Sequence, residues 1–156
     1  MESESDSLIC LLYVSTLTSE LTEETLESIL SKSRIRNEEL GVTGLLLVFG
    51  EHIVQVLEGP PTEVRRVYAS IEIDSRHRNV SKMVDVPVDR RFFPDWSMAF
   101  QKHPDSAPDP NPALQKLLQS EEKGTVEMVK KLFEIFGIFL GIGKKHDFQF
   151  QHRNSR

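Results

Sequence analysis

Leu8 to Val14 reads Leu-Ile-Cys-Leu-Leu-Tyr-Val, with no charge and no breaker. A strand that faces water on one side alternates apolar and polar side chains, so an unbroken apolar run marks a strand covered on both faces. A sheet built around such a strand needs two apolar layers, one above and one below. The rest of the chain must supply them.

Helical periodicity follows. Between Leu21 and Leu40, the residues Leu26, Ile29, Leu30, Ser33, Asn37 and Leu40 recur at helical spacing. Thr22 suits the N-cap, Glu23 and Glu24 suit the positive end of the helix dipole, and Gly41 supplies the stop. Thr43–Phe49 and Ile53–Glu58, joined by Gly50-Glu51-His52, predict an antiparallel hairpin. After Gly59-Pro60-Pro61, Thr62 is the expected cap of a second helix running to Ile73, with Val64, Val67, Tyr68 and Ile71 on its inner side. The polar loop Asp74–Asn79 leads to a fourth strand, Val80–Val88, and Pro94 opens a fifth, Asp95–Phe100. The order β-α-β-β-α-β-β predicts an α+β fold: a ferredoxin-like plait with a five-stranded mixed sheet and two helices on one face.

The stretch His103–Pro112, rich in Pro and Asp, reads as a linker to two C-terminal helices at about 112–121 and 124–140. In the second of these, Val129, Leu132, Phe136 and Phe139 make one stripe, with Phe133 and Leu140 beside it. So wide an apolar face must bury itself, either on the open face of the sheet or on a second subunit. The expected organisation is a main domain at 8–102, a linker and helical cap at 103–143, and disordered polar tails at 1–7 and 144–156. A chain of 156 residues accommodates one domain of about 100 residues with such an appendage.

Charge and cysteine content exclude several classes. The net charge is −5, and Lys and Arg are scattered, so no phosphate-backbone track is visible and no direct nucleic-acid binding is expected. Cys10 is the only cysteine, which rules out an intrachain disulfide or a Cys-rich metal site and suits a buried thiol in a reducing compartment. His52, His103, His146 and His152 are too dispersed to form a ligand set. The start, Met1-Glu2-Ser3-Glu4-Ser5-Asp6, lacks the basic and apolar regions of a signal peptide. The longest apolar stretch, around Leu132–Ile142, is too short for a bilayer and contains Glu134. A soluble cytoplasmic protein without a membrane partner is expected.

Three polar side chains are out of place in this scheme. Gln55 interrupts the strand Ile53-Val54-Gln55-Val56-Leu57 and shares a face with Ile53 and Leu57. Buried without a partner, its amide would cost about 1–3 kcal/mol. Tyr13 lies in the apolar first strand, on the face of Leu11 and Ser15, and Asn37 lies on the apolar stripe of the first helix. If these faces coincide, a phenol and two amides meet in a slot between helix and sheet. A flat heterocycle with alternating carbonyl and ring N–H groups would satisfy them. Each residue also has a plainer reading. Tyr13 could be a half-buried sheet tyrosine, Asn37 could bond its own helix terminus, and Gln55 could serve a neighbouring bulge.

Five segments, however, resemble one family together. Leu12-Tyr13-Val14-Ser15, Asn37 followed by Gly41-Val42-Thr43-Gly44-Leu45-Leu46-Leu47, Val54-Gln55-Val56-Leu57-Glu58-Gly59, Asp74-Ser75-Arg76-His77-Arg78 and Phe93-Pro94-Asp95-Trp96-Ser97-Met98 resemble the BLUF domain, in order and at family-like spacing, from about Leu8 to Phe100. That family consists of blue-light sensors using FAD. The resemblance implies that Tyr13 donates an electron to the excited flavin and that Gln55 stands between Tyr13 and the ring, near N5 and the C4 carbonyl. It implies that Asn37 holds the edge carrying that carbonyl and N3–H, that Arg76 and His77 lie beside the ring, and that Ser33 bonds Gln55 or its neighbours. Arg36 stands at a position the family varies and counts among the residues at the cofactor. Trp96 and Met98 match positions that exchange closeness to Gln55 with signalling state. Light would rearrange the Gln55 bonds, shift the absorption to the red, and pass through the fifth strand to the C-terminal helices. The readout would be a partner protein or a homo-oligomer, a dimer or larger.

No enzyme module is expected. An acyl-phosphate hydrolase on the same plait would need an anion cradle, and the segment Ser15–Glu20 has no glycine to shape one. The remaining alternative is a cofactor-free ferredoxin-like protein-interaction module, with the three polar residues bonded inside the core and the last helix as its working surface.

Overall fold

The computed structural model describes residues 7–19, 22–95, 97–102 and 111–135. Among these residues nine elements follow in order: β1 (Leu8–Leu17), α1 (Glu23–Leu40), β2 (Thr43–Phe49), β3 (His52–Gly59), α2 (Pro61–Glu72), β4 (His77–Val88), β5 (Ala99–Lys102), α3 (Asn111–Leu118) and α4 (Val126–Ile135). They form one five-stranded sheet in the order β4-β1-β3-β2-β5, with β5 parallel to β2 and every other pairing antiparallel. This is the expected mixed sheet, and β1 lies inside it, as its apolar run requires.

Both apolar layers are present. Ile9, Leu11, Tyr13 and Leu17 of β1 share a core with Leu30 of α1 and with Val64, Val67, Tyr68 and Ile71 of α2. On the opposite face Cys10 and Leu12 pack with Leu114 and Leu117 of α3 and with Met128, Val129, Leu132 and Phe133 of α4. Of the two partners open to the last helix, the sheet takes its described residues. Phe136, Phe139 and Leu140 of the expected stripe lie outside the described residues, as do His103, His146, His152 and nearly all of both tails. Cys10 is a buried free thiol whose pKa burial pushes up, which agrees with a structural role.

Several boundaries differ from expectation for identifiable reasons. α1 starts where Thr22 Oγ1 accepts the Thr25 N–H at 3.1 Å, and stops at Gly41, whose φ of +71° only glycine takes without strain. Thr62, by contrast, caps nothing. α2 opens at Pro61, a ring well suited to the first helical position, with Pro60 as a cap that makes no side-chain bond. β4 begins at His77 rather than Val80, because β1 runs on to Leu17 and pairs with it there. β5 begins at Ala99 rather than Asp95. The carbonyls of Ser97 and Met98 are taken by side chains of α1 instead of a strand ladder, through Asn37 Nδ2 at 2.8 Å and Arg34 Nε at 2.9 Å. Gly44 lets this segment approach the sheet: a Cβ there would stand 2.1 Å from the Val56 carbonyl oxygen and 3.2 Å from Met98 Cε.

Candidate functional site

Register builds the site. Tyr13 of β1 is directly opposite Gln55 of β3, which in turn is opposite Leu46 of β2, so all three side chains share one face. That is the α1–α2 face, so the faces assumed to coincide do coincide. Tyr13 Oη donates to Gln55 Oε1, and Gln55 Nε2 donates to Met98 Sδ at 3.3 Å. Tyr13 is 1% exposed and Gln55 6%, so the bond between them is shielded from bulk solvent. Burial holds the Tyr13 phenol well above its ordinary pKa, which keeps it protonated and a donor.

Above this rung, a cleft of about 670 Å³, counting its solvent-open mouth, lies between α1, α2 and the sheet. Its walls are Leu26, Ile29 and Leu30 of α1, Ile53 of β3 and Ile71 of α2, with Tyr13, Gln55 and Met98 in the lining. The polar groups facing it are Ser33, Arg36, Ser70, Asp74, Arg76 and His77. At the rim, the Arg76 guanidinium pairs with Asp74 and holds that carboxyl down at about 2. His77 Nδ1 is 3.0 Å from Ser15 Oγ, and its ring stands edge-on to Tyr13 with centroids 6.3 Å apart. Burial pushes the His77 pKa down, favouring the neutral imidazole. The half-buried Arg36 guanidinium donates from Nε to Asn37 Oδ1 at 3.2 Å.

Of the residues singled out in the sequence, Tyr13, Ser33, Arg36, Gln55, Arg76, His77 and Met98 line this cleft. Asn37 does not. It is fully buried behind the lining, with Nδ2 on the Ser97 carbonyl and Oδ1 on Arg36. Ser33 faces the cleft together with Gln55. Trp96 lies outside the described residues. Sequence reading missed Arg34, which is 6% exposed and bonds the Met98 carbonyl, and Asp74 and Ser70 at the mouth. Arg34 was detectable in principle, since it lies four residues from the core Leu30 and so shares its helix face.

Among the described residues no group of three or more His, Cys, Asp or Glu could hold a metal ion, and no helix is long and apolar enough to cross a membrane.

Comparison with known proteins decides the family. Residues 8–99 match the family described as BLUF, sensors of blue light using FAD. The chain belongs to the BLUF family. The BLUF protein BlrB, in its dark-state structure, is 32% identical, with a TM-score of 0.69 over 84% of this chain and 96% of that one. The photoactivated adenylate cyclase subunit beta of Euglena gracilis is 29% identical over 144 residues, 91% of this chain but 16% of that protein's length. The blue light- and temperature-regulated antirepressor BluF of Escherichia coli K12 is 36% identical over 86 residues, 54% of this chain and 21% of that protein. This chain therefore spans only a small part of the curated relatives it matches.

BLUF domains bind a flavin, and the residues present fit one. The buried Gln55 amide has only a thioether, a weak acceptor, facing its N–H. The Arg36 guanidinium faces the cleft, and no carboxylate pairs with it among the described residues. The walls beside these donors are aliphatic, as a flat aromatic ring needs.

Proposed function

We propose that this chain is a cytoplasmic blue-light photoreceptor that holds FAD in the cleft between α1 and α2 and senses light through Tyr13 and Gln55. The observation that carries this reading is the buried chain of donors Tyr13 Oη to Gln55 Oε1 and Gln55 Nε2 to Met98 Sδ. Ile29, Leu30 and Ile53 would clasp the ring. Gln55, Ser33, Arg36, Arg76 and His77 would meet its polar edges or the rest of the dinucleotide. Asn37 would act from behind the lining, fixing Arg36 and the Ser97 carbonyl, unless its amide turns toward the cofactor on binding. Bound, the flavin supplies blue-light absorption and a one-electron acceptor when excited.

The protein's own part is a proton and hydrogen-bond relay. Tyr13 is protonated in the resting state, and losing an electron makes its phenol strongly acidic. Its proton then has one partner, Gln55 Oε1. An amide both accepts and donates, so Gln55 could take that proton at Oε1 and give one from Nε2 to the reduced cofactor, electron and proton both returning to Tyr13 afterwards, or could turn over so that the two atoms exchange neighbours. Either course alters the contact with Met98. Because the Met98 carbonyl is held by Arg34 and the Ser97 carbonyl by Asn37, a shift there is carried by the short segment leading into β5. The output is then a change in how the C-terminal helices pack, read by a downstream signalling protein or by a homo-oligomer of this chain. Trp96 would exchange places with Met98 beside Gln55 in the course of signalling.

The test is spectroscopic. Protein purified in darkness should be yellow, release FAD on denaturation, and show a reversible red shift under blue light. Gln55→Leu should keep the cofactor and lose the shift. A colourless protein that remains colourless when FAD is added would return the cofactor-free interaction module to first place, and a normal shift in Gln55→Leu would remove Gln55 from the mechanism.

A further inference from the structure

Glu58 is fully buried, and the photochemistry above does not use it. It lies three residues beyond Gln55 on β3, so its side chain leaves the sheet on the opposite face. Its carboxylate accepts the backbone N–H of Phe93 at 2.8 Å, that of Phe92, and the Thr43 hydroxyl at 3.4 Å. Arg91 braces the same corner without touching the carboxylate: Nη1 donates to Thr43 Oγ1 at 3.0 Å and to the Glu58 carbonyl at 3.4 Å, and Nη2 to the Gly41 carbonyl at 2.7 Å. The two rings that Glu58 anchors pack edge-on against Phe133 of α4, with centroids 5.9 and 5.2 Å apart.

β3 therefore holds one segment at both ends. Glu58 grips Phe92 and Phe93, and Gln55 grips Met98. The second grip is the one light would alter. We infer that Glu58 is a positioning residue for signal output: it pins Phe92 and Phe93 to β3, so that a change at Met98 swings the segment about a fixed point and emerges at β5 instead of dissipating in the loop. This rests on the photoreceptor reading and assigns no contact between Glu58 and the cofactor. A carboxylate suits the task because its two oxygens accept two converging N–H groups at once, which an amide cannot do without aiming its own N–H₂ at one of them.

Amide hydrogen exchange on the full, flavin-loaded chain, resolved by residue in darkness and in blue light, tests the inference. In the unaltered protein, light should change exchange across residues 97–102 and leave Phe92 and Phe93 as protected as before. Glu58→Gln should keep the flavin red shift, exchange the Phe92 and Phe93 amides about tenfold faster in light and dark alike, and lose most of the light-induced change at 97–102. The inference is overturned if Glu58→Gln transmits the full change to 97–102. Should that variant fail to fold, the unaltered protein decides alone: Phe92 and Phe93 opening in light together with 97–102 overturns the pin. A chain with no flavin shift in any form defeats the photoreceptor reading and this inference with it, an outcome recognisable from the absorption spectrum before any exchange is measured.

Discussion

On one face of the sheet, Cys10, Leu12, Leu47, Val54 and Val56 meet Leu132 and Phe133 of α4 and Leu117 of α3; on the other, the same strands present Tyr13, Ser15 and Gln55 to α1 and α2. The first face is hydrocarbon in which Glu58 is the one buried acidic side chain among the described residues; burial pushes its pKa up, and the N–H groups of Phe92 and Phe93 and the Thr43 hydroxyl, all bonded to its oxygens, oppose that rise. The second keeps a cleft, and two donors beside it are underused: the Gln55 amide N–H meets only a thioether, and the half-buried Arg36 guanidinium has one neighbouring side chain and, among the described residues, no carboxylate. A hydrocarbon face gains stability with each methylene buried, whereas a face that leaves donors underused forgoes stability that a ligand can restore. On the photoreceptor reading proposed above, the cleft face would hold the sensor and the opposite face the fold.

If that division is right, the largest loss of stability should come from the face remote from the cleft. Phe133→Ala removes a ring that is 1% exposed and packed on Phe92 and Phe93, and should cost about 3–5 kcal/mol in denaturant unfolding while the folded fraction keeps its flavin shift. A folded Phe133→Ala protein that binds no flavin would break the division. Flavin itself should act on the other side. At a hundredfold excess over Kd it should stabilise the protein by about 2.7 kcal/mol, and the same increment should appear in Phe133→Ala, since the two sites share no partner. Leu30→Ala, in the cleft wall, should shrink the increment as well as lowering the stability of the free protein. Smaller in energy is Tyr13→Phe, which deletes the bond to Gln55 Oε1 and should cost about 1 kcal/mol. It should nevertheless abolish the light response, and an unchanged red shift would show that Tyr13 is only packing.

The sequence made the division legible unevenly. The double coverage of β1 could be read from Leu8–Val14, and the facing of Tyr13 and Gln55 from strand alternation, because a period of two leaves no freedom once the strands pair. The start of β5 could not be read this way. Its first ladder bond is decided by Asn37 and Arg34 on a helix sixty residues earlier, and local propensity carries no information about such a contact. Glu58 was visible only as part of a motif, since a carboxylate at the end of a strand is ordinarily solvated. Its burial depends on a loop that folds back to it from thirty-four residues downstream. The apolar helical stripe places Asn37 inside the fold, where it is buried, but its bonds to the Ser97 carbonyl and to Arg36, which hold it behind the cleft lining, have no local signature.

The rim of the cleft gives the smallest and most selective test. Asp74 holds Arg76 through a direct ion pair and also accepts the Arg76 backbone N–H at 3.0 Å. These interactions lower its pKa from 3.8 to about 2. A carboxylate with a lowered folded pKa contributes stability above its unfolded value and loses that contribution as pH falls through the folded one. The contribution should thus be intact above about pH 4 and disappear toward pH 2. The Arg76 side chain is 52% exposed and the Asp74 side chain 22%, so solvent screens the pair and the effect is at most about 1 kcal/mol. Asp74→Asn keeps an oxygen for the backbone N–H but not the charge. It should flatten flavin retention over this pH window while leaving the unfolding of the α4 face unchanged. If flavin retention falls with acid equally steeply in Asp74→Asn, the pair does not close the mouth, and the contrast between the two faces ends at the Tyr13–Gln55 rung.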